Sequence, residues 1–309
     1  MEYKIKILSD GDDEQYERFI DSHKASMIYH SLKYKKLLLN VINGSSAIYL
    51  GAFKNDELVG ILPSIIKETK VGCVINSLPF YGSNGGILTS SNNSHLIKRK
   101  LFNEIKNISL KKNSLSTVII ESLILKENHK IEIENESIIF DERYSQITYF
   151  NDINFESIEE SLMNIFHSKT RNMIRKSLKS NIKISHGSSR KYFDNLINLH
   201  NLNIQKLNGQ AKPEIFFESL KELFDYDKDY RIYSATIDSK VVASLLILYF
   251  KDHVEYFTPA IDERYKSLQP LSGIIFQSMI DAIKEKNTKL WNWGGTHIDK
   301  ESLFKFKSK

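Results

Sequence analysis

Cysteine is almost missing from this chain: Cys73 stands alone among 309 residues. A lone cysteine excludes an intrachain disulfide and any cysteine-based metal cluster. Long hydrophobic runs are missing too. No stretch approaches the roughly 20 apolar residues that cross a bilayer, and the opening Met1-Glu-Tyr-Lys-Ile-Lys6 lacks the apolar region of a signal peptide. These absences point to the cytoplasm. The nine histidines include no pair at metal-ligand spacing, so no metal is expected. There is no nucleophile elbow of the Gly-x-Ser-x-Gly kind and no phosphate loop of the nucleotide hydrolases. Charge of one sign is also scarce: 43 basic against 38 acidic residues leave a net +5. That balance admits an anionic substrate but does not argue for nucleic acid. No long basic run interleaved with aromatics marks a nucleic-acid surface, so DNA is not expected as a partner.

Tryptophan occurs twice, and both copies sit in the last twenty-one residues. There Lys289-Leu-Trp-Asn-Trp-Gly-Gly-Thr-His297 leads through a short polar loop to Phe304-Lys-Phe-Lys-Ser-Lys309. Trp291 and Trp293 are two residues apart, so on a strand they share a face. The pattern predicts a strand over 289–293, a break at Gly294-Gly295, and cations placed just beyond it.

An internal repeat organises the rest. Residues 46–63 and 230–247 share one plan: a strand, a polar turn (Lys54–Glu57; Asp238–Lys240) and a second apolar strand, which is a hairpin signature. Each hairpin is followed by a strand (71–77; 253–258), a loop, a helix (94–111; 271–286) and a further strand (116–121; 289–293). Helices precede each hairpin, over 29–42 in the first half and over 190–208 and 213–224 in the second. Self-similarity on this scale predicts two domains of like architecture. The boundary falls between a strand at 146–150 and a helix at 156–166, giving domains 1–152 and 153–309.

Four segments offer candidate site residues, each with two readings. Ser168-Lys-Thr-Arg-Asn-Met-Ile-Arg-Lys176 places Arg171 and Arg175 on one helix face, as a clamp for phosphate or carboxylate or simply as a solvated basic face. Leu78-Pro-Phe-Tyr-Gly-Ser-Asn-Gly-Gly-Ile-Leu88 offers Tyr81, Gly85 and Gly86, either to approach a ligand closely or to make a tight turn. Lys36, in a basic helix near the start, would contact a phosphorylated acceptor or face solvent. The tail is either a frayed basic end or a packed element. Packing is favoured there, because Leu303, Phe304 and Phe306 are costly to leave in water. On 253–258, alternation does not decide whether Glu255 or Tyr256 faces inward. His297 is a candidate base or an ordinary loop histidine.

The repeat and these segments resemble the FemAB family of aminoacyltransferases and its acyltransferase relatives. Those proteins carry two tandem GNAT-like domains, so the fold class implied is α/β (α+β), each domain a mixed, mostly antiparallel sheet flanked by helices. The motifs are loose but spread over nearly the whole chain. By resemblance, Lys307 and Phe306 are catalytic, with Lys307 stabilising charge during transfer and Phe306 shaping the donor pocket. Arg171, Arg175, Lys36, Tyr81, Gly85, Gly86, Trp293, Gly294 and Gly295 then bind substrate. The family's acetyl-CoA users carry a glycine-rich pyrophosphate loop. Here Arg264-Tyr-Lys-Ser-Leu-Gln-Pro-Leu-Ser-Gly273 stands in its place, leaving Gln269 and Gly273 to offer a helix N-terminus to phosphate. No cofactor is held permanently; acyl-CoA or aminoacyl-tRNA is the co-substrate, so tRNA is one donor partner implied.

The function implied is acyl or aminoacyl transfer to an amine of a cell-envelope precursor: a nucleotide-linked sugar, a peptidoglycan peptide or a surface-glycan sugar. The acceptor is small or lipid-linked, and a lipid-linked one brings the enzyme to the inner face of the membrane. With no covalent nucleophile evident, the amine attacks directly. The counterpart strand 116–121 of the first half lacks the Gly-Gly break and the Phe-Lys tail that follow 289–293, so the second half is expected to hold the donor and the first half the acceptor. A non-catalytic scaffold on degenerate GNAT domains is the alternative. The tail motif is still running at Lys309, so a longer natural chain would add to its support.

Overall fold

A computed structural model describes residues 2–78, 85–90, 94–120, 143–297 and 299–308. The chain divides into two compact units, Met1–Asp141 and Glu142–Lys309.

In the first unit, β1 (Lys4–Ile7) leads to α1 (Asp13–Ser22) and α2 (Leu32–Val41). The sequence predicted one helix over 29–42. The chain instead makes a 3-10 turn at Ile28–His30, and α2 begins after Ser31, whose hydroxyl accepts from the Tyr34 N–H at 3.2 Å. That is an N-cap, which satisfies a donor left over at the helix start. The predicted hairpin follows as β2 (Ser45–Lys54) and β3 (Glu57–Thr69). Asn55 and Asp56 at its tip have φ of 50° and 63°, the left-handed conformation that matches a two-residue turn to the strand twist. Next come β4 (Gly72–Asn76), β5 (Leu88–Thr89), α3 (Ser94–Lys111) and β6 (Ser114–Val118). The sheet order is β1-β2-β3-β4-β6, with β5 paired to β3 and the β4/β6 pair parallel. Ile97, Leu101, Ile105 and Ile108 recur at helical spacing along α3 and pack with Ile48, Leu50, Leu62, Ile66 and Ile75 of the sheet.

The second unit begins with β7 (Arg143–Tyr149), α4 (Ile158–Ile165), α5 (Ser168–Lys179) and β8 (Lys183–Gly187). It continues with α6 (Arg190–Lys206), α7 (Glu214–Leu223), β9 (Tyr230–Ile237), β10 (Lys240–Phe250) and β11 (His253–Ile261). A 3-10 turn at Glu263–Leu268, α8 (Pro270–Lys286), β12 (Leu290–His297) and α9 (Glu301–Lys307) complete it. The order is β7-β12-β11-β10-β9-β8. The β9–β10 hairpin turns on Asp238 and Ser239, with φ of 46° and 65°, the counterpart of Asn55-Asp56. As β4 and β6 do across α3, β11 and β12 run parallel across α8. The repeat read from sequence is therefore a repeat of sheet topology.

Both faces of this sheet are covered, so its central strands read as nearly continuous apolar runs. One face carries α8, whose Ile274, Ile275, Met279 and Ile283 pack with Leu245, Ile247, Val254 and Trp291. The other carries α6 and α7, where Phe216 stacks on Phe257 at 5.8 Å. The strand 146–150, assigned from sequence to the first domain, is β7, and it hydrogen-bonds along β12 in the second sheet. Strand alternation there is weak, and nothing in the sequence shows which of two sheets an edge strand joins. Glu121, the expected end of the strand after α3, lies outside the described residues.

Candidate active site

The parallel pairing of β11 with β12 is short. It joins His253 to Leu290, Val254 to Trp291 and Glu255 to Asn292. Beyond that point β11 stays with β10 out to Ile261, while β12 stays with β7 out to His297. The strands diverge, and among the described residues no ladder joins 256–261 to 293–297. A backbone edge left without a strand partner is a template for an extended, amide-bearing ligand. At about 3.3 Å per residue the two edges are roughly 20 Å and 17 Å long.

Two bulges produce the divergence. On β11 the register passes from Leu246↔Thr258 to Ile247↔Tyr256, so Phe257 is an extra residue. On β12 it slips between Asn292 and Gly295. Gly294 has φ of 73°, a left-handed conformation that glycine adopts without steric cost. Trp293-Gly294 is thus a bulge opposite Gln146, and the strand resumes at Gly295 and continues to His297, not the break after 293 expected from sequence. Bulges bend a strand and re-aim its side chains, and they recur beside active sites.

The apex of the opening is closed by side chains. On the α6/α7 face the Asn292 amide donates to Glu255 Oε2 at 2.8 Å, and Asn292 Oδ1 accepts from the Gly294 N–H at 2.9 Å. On the α8 face the rings of Tyr256 and Trp293, the first residues past the last parallel pair, meet at 5.3 Å. Trp291 lies 5.8 Å from Trp293, so the two tryptophans do share a face. Trp293 is further held by its indole N–H, which donates to Thr148 Oγ1 at 2.9 Å. The alternatives for Glu255 and Tyr256 resolve simply: Glu255 is buried on one face and Tyr256 is partly buried against the core on the other.

The tail forms the lid of this corner. It is a packed helix, α9. Phe306 meets the Trp293 ring at 6.3 Å, Phe304 meets Tyr144 at 5.1 Å, and Gln146 Nε2 donates to the Phe304 carbonyl at 2.9 Å. These contacts turn Lys307 back to β12, where its Nζ donates to the carbonyls of Gly295 at 3.2 Å and Gly294 at 3.4 Å. Burial in this corner pulls its pKa down to about 8, because desolvation disfavours the charged form. An amine that gains and loses its proton near pH 8, at the edge of an open backbone cleft, is suited to proton donation and to charge stabilisation.

The remaining candidate residues are dispersed. Arg171 is half-buried and Arg175 exposed on α5; Arg175 Nη1 donates to Asn172 Oδ1 at 3.4 Å, and among the described residues neither arginine has an ion-pair partner. A Cβ on Gly273 would collide with Ser177 Oγ of α5. The lone glycine of the loop therefore serves close packing of α5 on α8, a constraint invisible in the sequence. Gln269, at φ 60°, ψ 40°, is the residue from which α8 starts, with Pro270 at its first position. In the first unit Lys36 is exposed on α2, while Gly85 and Gly86 are buried. A Cβ on Gly85 would press on the Leu78 side chain at 2.7–3.0 Å, and Gly86 has φ of 100°. Tyr81 lies outside the described residues. His297 is exposed at the end of β12, 3.3 Å from Asp299 Oδ2. Among the described residues no cluster of histidine, cysteine and carboxylates is built to hold a metal, and no helix is long and apolar enough to cross a membrane.

Sequence reasoning did not single out Asn292, Thr148 or Gln146. The asparagine between two tryptophans was the one local signal: a polar residue on a doubly covered strand needs a partner.

Residues 168–297 match the acetyltransferase (GNAT) domain family. No curated protein matches the sequence. Among solved structures, the chain is similar to FemX with a TM-score of 0.73 and 12% identity, covering 99% of this chain and 93% of that one. It is similar to a tandem GNAT protein from the clavulanic acid biosynthesis pathway with a TM-score of 0.61 and 8% identity, over 99% and 93% of the two chains. It is also similar to L-PGS from Bacillus licheniformis, with a TM-score of 0.53 and 10% identity, over 94% and 78%. At these identities the likeness is one of fold, and the fold shared is the tandem GNAT arrangement of two mixed sheets flanked by helices.

Proposed function

We propose that this acyltransferase, a tandem GNAT protein of the FemAB-like kind with its acetyltransferase domain at residues 168–297, transfers an acyl or aminoacyl group to an amine of a cell-envelope precursor. The donor is an acyl-CoA or an aminoacyl-tRNA. It lies extended between the diverging edges of β11 and β12, with its carbonyl turned to Lys307. The precursor is a nucleotide-linked sugar, a peptidoglycan peptide or a surface-glycan sugar. The observation that carries this reading is the open edge of 256–261 facing 293–297 with Lys307 Nζ beside it on the Gly294 and Gly295 carbonyls. The envelope acceptor is taken from the resemblance to the FemAB family; the fold shared with FemX is in keeping with it.

In the reaction the neutral acceptor amine attacks the acyl carbonyl, forming the new C–N bond and a tetrahedral oxyanion. That intermediate collapses as the C–S or C–O bond to the leaving group breaks, and the amine proton is released. Lys307, protonated, stabilises the oxyanion or supplies a proton to the leaving group; stabilisation of this kind is worth most where water is excluded. Phe306 holds Lys307 in place through its contact with Trp293. Arg171 and Arg175 hold a phosphate or carboxylate of a substrate, and the start of α8 at Gln269 offers N–H groups to a phosphate. The first unit, through Lys36 and the segment ending at Gly85-Gly86, holds the acceptor. Thermal-shift measurements with acetyl-CoA, longer acyl-CoAs, UDP-sugars and aminoacyl-tRNA test the reading, since a ligand that binds only the folded state raises its melting temperature. Stabilisation by a donor supports it. Stabilisation by none of them favours a scaffold without catalysis.

A further inference from the structure

The corner that brings Lys307 to the cleft also limits what fits there. A ligand entering between β11 and β12 from their carboxyl ends runs toward the last parallel pair, Glu255 and Asn292. That pair is linked by a side-chain hydrogen bond of 2.8 Å and both residues are buried. Immediately before it, Tyr256 and Trp293 approach to 5.3 Å between ring centroids. A methylene chain passing between two rings needs about 3.5–4.0 Å of carbon contact on each side, hence a centroid separation of roughly 7–8 Å. The ring pair is therefore too close to let a chain through. On the flank toward α9 stands Phe306, 6.3 Å from Trp293. On the opposite face Phe257 is fixed by stacking on Phe216 at 5.8 Å, with the Lys212 ammonium 5.1 Å from its ring centroid.

From this geometry we infer that Tyr256, Trp293 and Phe306 form a length gate that admits short acyl groups and rejects long ones. The inference rests on the donor lying between β11 and β12. The acyl carbon must stop near Gly294 and Gly295, where Lys307 Nζ lies, so only a few heavy atoms beyond the carbonyl have room before the ring pair. Phe306 is the part of the gate that can be removed most gently, because α9 contains no fully buried residue. Tyr256 is the second, since it belongs to the wall and not to the strand pairing at the apex.

Two matched series of probes test the gate: acetyl-, butyryl- and octanoyl-CoA, and the same acyl groups on 3′-amino-3′-deoxyadenosine as hydrolysis-resistant amides. Calorimetry on the full chain gives an affinity for each. On whichever carrier binds, the octanoyl compound is expected to bind at least tenfold more weakly than the acetyl compound. In Phe306→Ala or Tyr256→Val that ratio falls to threefold or less. Equal affinity for acetyl and octanoyl in the wild type, or an unchanged ratio in both variants, overturns the gate while leaving the donor position standing. Failure of every compound on both carriers overturns the donor position, and the gate with it.

Discussion

Replacing Lys307 by methionine removes the ammonium and keeps the stem. The Nζ that is lost donates to the Gly295 and Gly294 carbonyls at 3.2 and 3.4 Å, and burial holds its pKa near 8. On the proposed reading, the same group faces the charge that develops in the transition state. Removing one such donor typically costs about 10²–10³ in kcat, or roughly 3–4 kcal/mol. The fold should tolerate the change. The two carbonyls remain on an open strand edge, α9 has no fully buried residue, and Phe306 still meets Trp293. The assay is steady-state turnover with the donor that stabilises the wild type, beside thermal unfolding of both proteins. The expected result is kcat lower by about 10²–10³ with the melting temperature within a few degrees. Turnover at the wild-type rate would refute the role given to Lys307. A lower rate with a collapsed melting temperature would show that Lys307 acts on folding instead.

Other outcomes follow from the same geometry. On the proposed reading protonated Lys307 is the active form, so kcat should fall as pH rises through about 8, and Lys307→Arg, whose charge persists to far higher pH, should flatten that limb in a pH–rate profile. Its stability effect has the opposite sense. The folded pKa lies below the ordinary lysine value, so the unfolded chain binds the extra proton between about 8 and 10.5 and stability gains from Lys307 as pH rises through that window, measurable by urea unfolding. Gly273→Ala should cost about 1–3 kcal/mol in urea unfolding, because the new methyl meets Ser177 of α5; no loss would show that α5 and α8 shift freely. His200 accepts from the Lys212 N–H at 3.2 Å and is held neutral, its pKa lowered to about 4 by burial and the nearby Lys212 charge. Its contribution is complete above pH 6.5 and lost as pH falls toward 4, so His200→Phe should show a shallower acid limb over that range.

Much of the architecture is legible in the sequence because it rests on local signals. The two hairpins announce themselves through Asn55-Asp56 and Asp238-Ser239, and α3 and α8 through apolar residues at helical spacing. The shared face of Trp291 and Trp293 and the packing of the tail are legible for the same reason. What is not legible depends on pairing between distant segments. That β7 joins β12 is a register choice between two sheets. That the strand bulges at Trp293-Gly294 and resumes at Gly295 depends on what β7 offers opposite it, and the helical form of α9 depends on Trp293 and Gln146 receiving Phe306 and the Phe304 carbonyl. The role of Gly273 is the sharpest case: as a loop glycine it suggests phosphate, and as a packed residue it fits the Ser177 side chain of a helix ninety-odd residues earlier.

The central claim is that the donor lies between the diverging edges of β11 and β12. Hydrogen exchange measured with and without the stabilising donor tests it most directly. The account predicts slowed exchange confined to peptides covering 256–261, 293–297 and α9, with Lys307→Met keeping the β-strand protection. Donor binding that leaves those peptides unchanged, or protects another part of the chain instead, would contradict it.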